Sequence, residues 1–164
     1  MTQSNLAITY SRLGRIEEAA RIEDEVYSEH VRFFGEENRN TLVAASNYAS
    51  SLIRLQRFEE AKPLLRRTMP MTRRVFGENH EFTLKIRWCL AVALYKDPGA
   101  TLDDLREAVT MLEETERTAR RVLGGVHPLT EGIEKSLQNA RAALRANETG
   151  DVSSVCEALR KAEV

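Results

Sequence analysis

Shifting the sequence 42 positions against itself brings Asn5-Leu6-Ala7 onto Asn47-Tyr48-Ala49 and Arg15-Ile16-Glu17-Glu18-Ala19 onto Arg57-Phe58-Glu59-Glu60-Ala61. The same shift aligns Phe34-Gly35-Glu36 with Phe76-Gly77-Glu78 and Thr41-Leu42 with Thr83-Leu84. A fixed offset of this length marks a stacked repeat, in which each unit hides its apolar faces against its neighbours. A third copy starts on time at Leu90-Ala91, but Glu107-Ala108, Leu123-Gly124 and Thr130 fall 47 residues after their counterparts. Five residues have entered, and Asp97-Pro98-Gly99 marks the expected place.

Apolar residues within a copy recur at three and four: Leu6, Tyr10 and Leu13, then Ile16, Ala19, Ile22 and Val26. That is the spacing of two amphipathic helices, so each repeat is expected to be a helical hairpin. Gly14 breaks the first pair, and Gln56-Arg57 occupies the corresponding turn of the second. Glu17-Glu18, Glu59-Glu60 and Asp103-Asp104 open the second helices, where the helix dipole favours acids. Gly35, Gly77 and Gly124 close them as expected left-handed caps, with Arg73-Arg74 and Arg120-Arg121 in the last turns. Thr101 and Asp104 have the spacing of a capping box. Ala7, Ala49 and Ala91, with Ala19, Ala61 and Ala108, mark close helix crossings. Pro63 falls early in a second helix, and Pro70 falls in its interior, predicting a kink near Arg66 to Met69.

Composition agrees with an all-α chain. Eight glycines, four prolines and 6% aromatic residues in 164 do not suit a sandwich of many short strands. The formal charge of -1 provides no field to attract nucleic acid or an anionic membrane. No run approaches the ~20 apolar residues that cross a bilayer, and the N-terminus lacks a signal-peptide pattern. With only Cys89 and Cys156 there is no disulfide framework, so a reducing, cytoplasmic location is expected. A repeat already under way at Asn5 is compatible with a fragment of a longer array.

The stretch Asn-Leu-Ala-x-x-Tyr-x-x-Leu-Gly-Arg-x-Glu-Glu-Ala, from Asn5 to Ala19, resembles a tetratricopeptide repeat (TPR). The long period, with Phe76-Gly77-Glu78-Asn79-His80 and Leu123-Gly124-Gly125-Val126-His127-Pro128 between hairpins, resembles the kinesin light chain subclass. The resemblance implies an α-solenoid of about three and a half antiparallel hairpins. Its array is expected over residues 1–145, with its last clear helix over about Leu129 to Leu144; over 146–164 a loop precedes a short helix spaced by Val152, Val155, Cys156 and Leu159, read as a cap on the open end, the alternative being a tail that docks elsewhere. It departs from the pattern at Cys89, which stands where Asn5 and Asn47 stand.

The resemblance further implies a concave groove, lined by the first helices, that binds an extended and acidic peptide. Asn5 and Asn47 match the groove asparagines, whose amides both donate and accept; the alternative is that they bond a neighbouring helix or turn. Arg12, Arg54 and Lys96 share one register, either as a column of cations for an acidic peptide or as complements to helix C-termini. Asn47, Ser50 and Arg54 share a face, and Lys85 and Trp88 lie one turn apart. Trp88 is either a partner anchor or core. The second reading of the whole chain is a structural spacer or self-association module that works through its ends.

Catalysis is not expected. His30, His80 and His127 lack metal-ligand spacing, and His80 and His127 occupy equivalent turns. Neither cysteine has a histidine nearby in sequence, and no phosphate loop or nucleophile elbow is present. No cofactor or metal is therefore expected, and the oligomeric state is left open.

Overall fold

A computed structural model describes residues 9, 10 and 13–150. Asn5, Arg12 and the expected C-terminal capping helix lie outside the described residues. Among those described, all regular structure is helical: α1 (Ile16–Phe34), α2 (Arg39–Arg54), α3 (Phe58–Phe76), α4 (Glu81–Lys96), α5 (Leu102–Val122) and α6 (Pro128–Thr149). The fold is an all-α, TPR-type helical solenoid. It divides into two compact units, Met1–Glu78 and Asn79–Val164. In the first, α2 packs against both α1 and α3; in the second, α5 packs against α4 and α6, and α4 also touches α6.

The repeated landmarks are helix-starting devices. Arg15 forks onto Glu18 at 2.9 and 2.7 Å, and Arg57 onto Glu60 at 2.6 Å through both nitrogens, so the Arg-x-x-Glu pattern clamps the first turns of α1 and α3. In α5 the Thr101–Asp104 capping box takes that place. The first helices start differently. Asn38 Oδ1, His80 Nδ1 and His127 Nδ1 each accept from the backbone N–H two residues on, at 2.9, 3.1 and 3.2 Å. Histidine caps explain the two equivalent turn histidines.

Four expectations change in detail. Gly35 (φ 79, ψ 169) and Gly77 (φ 102, ψ 156) are not left-handed caps: they occupy the positive-φ, extended region that is open essentially to glycine alone. Helix α3 runs unbroken through Pro70, with Pro63 in its second turn, so any bend at Arg66 to Met69 leaves the helix uninterrupted. The last helix continues past Leu144 to Thr149, where Arg106 pairs with Glu148 at 3.5 Å and Gly150 provides a true left-handed cap.

The fourth concerns the insertion. The α4–α5 turn spans 97–101 where the α2–α3 turn spans 55–57, which accommodates two of the five extra residues. The other three extend α5 at its start, because its core register begins at Leu105. Phe58, Ala61, Leu65 and Thr68 of α3 and their counterparts Leu105, Ala108, Leu112 and Thr115 are all buried. The added turn is the one that carries the capping box.

Gln56 takes φ 58 where Gly14 takes φ 77. A side chain in the left-handed region costs about 1–2 kcal/mol, part of which glycine returns as unfolded-state entropy. Gln56→Gly should therefore stabilise the first unit by about 0.5–1 kcal/mol, seen as a higher urea midpoint by circular dichroism.

Candidate functional site

The hairpin fold presents α2 and α4 as the first helices of their repeats, and the candidate residues lie along them. On α2, Asn47 and Ser50 are half-buried and Arg54 is exposed at the last turn. Ser50 Oγ donates to the Ser46 carbonyl at 2.8 Å, which ties its hydroxyl to its own helix. On α4, Lys85 and Trp88 are both half-buried, one turn apart, and Lys96 ends the helix.

Sequence reasoning missed Glu23. Shifted by one period, its position is that of Leu65, and one repeat further that of Leu112; both leucines are fully buried. A carboxylate therefore stands in the core stripe of α1, half-buried, hydrogen-bonded to Ser51 and within the field of Arg54. Burial pushes the Glu23 carboxyl above its usual range, while Ser51 and Arg54 pull it back. Its Oε2 is buried without a hydrogen-bond partner. His30, two turns later at the position of Thr72 and Ala119, likewise buries Nδ1 without a partner. The missed signal was available: two polar residues at positions that are leucine, threonine or alanine in the other copies.

Trp88 lies against α6. Its Nε1 donates to Ser136 Oγ at 2.8 Å, and a Cβ built on Gly132 would come within 2.8 Å of the indole. Ser136 and Asn139 also hydrogen-bond the buried Tyr95, whose phenol burial raises above its usual range. Much of the indole therefore joins α4 to α6, and Gly132 is glycine because the ring occupies the space of its side chain. Among the described residues no cluster of three histidine, cysteine, aspartate or glutamate side chains could hold a metal ion.

Both packings can be tested by substitution. Gly132→Ala gains about 1 kcal/mol in helix propensity but overpacks the indole by about 1–3 kcal/mol, so a net loss of about 1 kcal/mol is expected, read from Trp88 fluorescence during denaturation. For Glu23 the folded state holds the proton more tightly than the unfolded chain, so stability is lost as pH rises through the raised titration. Glu23→Gln should be neutral below the carboxylate range and stabilising at neutral pH, measured by thermal melts at both.

The tetratricopeptide repeat profile matches residues 1–40 and 41–81. No curated protein matches the chain. Among solved structures, the chain is similar to the nearly identical TPR-like repeats of a Podosopora anserina protein described as a kinesin light chain. A substituted form of those repeats gives a TM-score of 0.76 at 22% identity over 97% of this chain and 70% of that one. The form without the substitution gives the same score and identity over 71% of its length. BtubC (BKLC) from P. vanneervenii gives a TM-score of 0.68 at 20% identity, covering 98% of this chain and 60% of that chain. At such identities the likeness speaks for the fold. Residues 1–81 thus match two tetratricopeptide repeats, and the same hairpin architecture continues beyond them in a fold similar to that of kinesin light chain repeats.

Proposed function

We propose that this chain is a non-catalytic cytoplasmic scaffold whose first helices hold an extended, acidic peptide segment of a partner protein. Tetratricopeptide repeats are protein–protein interaction modules. The observation that carries the finer reading is the Asn47–Arg54 edge of α2. An exposed guanidinium ends this edge, and Glu23, a carboxylate partly withdrawn from water, lies within its field. A ligand carboxylate offers the same chemistry with better hydration, and the planar guanidinium fork accepts it in bidentate fashion. Asn47 adds an amide that pairs with a peptide backbone of any sequence.

In the second unit the candidates are Lys85 and Trp88 of α4, and the proposed set also includes Asn5 and Arg12, outside the described residues. A net charge of -1 favours a discrete acidic segment over a polyanion or an anionic bilayer. No described helix is long and apolar enough to cross a membrane.

Arg54→Glu combined with Lys85→Glu should weaken a labelled, extended glutamate-rich peptide by about tenfold or more in fluorescence anisotropy, with helicity unchanged. Unchanged affinity would remove the acidic-peptide reading. Glu23→Gln should tighten the same peptide, because it removes the carboxylate that competes for Arg54.

A further inference from the structure

The exposed side of α3 differs from those of α1 and α5. Between Pro63 and Arg74 it presents Pro63, Arg66, Arg67, Pro70, Arg73 and Arg74, all exposed and with no acid among them. The arginines form two pairs, and Arg73-Arg74 repeats Arg66-Arg67 seven positions on, or two helical turns, about 10.5 Å. Pro70 stands between the pairs and borders a hollow of about 800 Å³ whose other apolar walls are Phe34 and Met71. Arg67 and Arg74 flank that hollow; Arg67 pairs with Glu36 at 3.6 Å and bonds the Tyr27 hydroxyl, and Arg74 pairs with Glu37. Phe34 is 58% exposed, unusually open for a ring this size beside a cavity.

We infer that this ridge is a second binding site, distinct from the first-helix edge proposed above, and that its occupant is an acidic amphipathic helix of a partner protein. Spacing decides for a helix. A helix laid along α3 repeats one face every seven residues, about 10.5 Å, so acid pairs seven apart meet both arginine pairs at once. An extended strand repeats a face every ~6.7 Å and brings carboxylates to one arginine pair but not to both. A large apolar side chain midway between the acid pairs then enters the hollow over Pro70 and Met71. Glu36, Glu37 and Glu78, which pair with Arg67, Arg74 and Arg73, repel an unbroken line of phosphates but leave places for discrete carboxylates. These exposed ion pairs are worth ~0–1 kcal/mol each, so a partner carboxylate exchanges with them at little cost.

The probe is a labelled synthetic peptide of about 18 residues, two glutamate pairs seven apart with one leucine midway, and a control of identical composition with the pairs moved out of register. The full chain should bind the registered peptide about tenfold more tightly than the control, the peptide should gain helicity, and added salt should weaken the complex. Arg67→Glu with Arg74→Glu should abolish this binding. The milder Arg67→Gln with Arg74→Gln should weaken it with the fold of α3 kept. Arg54→Glu with Lys85→Glu should leave it intact, which separates failure here from failure at the first-helix edge. Equal affinity for both peptides, binding without helix gain, or indifference to the Arg67 and Arg74 variants would overturn the inference. So would Arg67-dependent dimerisation of the chain in place of peptide binding, since the occupant would then be a second copy.

Discussion

Close approach of helices at small residues governs this structure. Ala19, Ala61 and Ala108 have no exposed surface at all, and Ala49 and Ala91 match them on the first helices. A methyl group at each crossing lets two backbones come together while flanking leucines, isoleucines and threonines interlock around it. A larger side chain at any of these points would separate the helices of a hairpin and, through the next hairpin, disturb a whole unit. The period of the chain is thus set by how often such a crossing must recur.

Among the described second helices, α1 carries ionisable side chains in this stripe where α3 and α5 carry leucine, threonine or alanine. The stripe that is Leu65 and Thr72 in α3, and Leu112 and Ala119 in α5, is Glu23 and His30 in α1. A half-buried carboxylate with one unsatisfied oxygen is costly, and its cost is moderated by Ser51 and Arg54, both on α2. The same contact places Arg54, the cation of the first-helix edge, beside an internal competitor. On the proposed reading of that edge, stability and recognition are coupled at this point of the first unit.

Trp88 shows the same economy in the second unit. Its ring fills the space above Gly132 and its nitrogen reaches Ser136, so one residue bridges α4 and α6. The basic ridge of α3 is the reverse case. None of Arg66, Arg67, Arg73 or Arg74 is needed by the core, and their seven-residue spacing is a surface property that packing neither demands nor prevents.

Much of this was legible in the residues. Periodicity gave the hairpins, the alanine register gave fully buried positions, and Thr101–Asp104 gave its capping box, because each follows from a pattern within a few residues along the chain. Pairing across the fold was not legible. That Glu23 meets Ser51 and Arg54, that Gly132 makes room for Trp88, and that three of the five inserted residues lengthen α5 all depend on which faces meet after stacking. Local periodicity is encoded one turn at a time, so the sequence alone determines the hairpin repeat. Burial of a given side chain is fixed by a partner many residues away, and only the tertiary structure decides it.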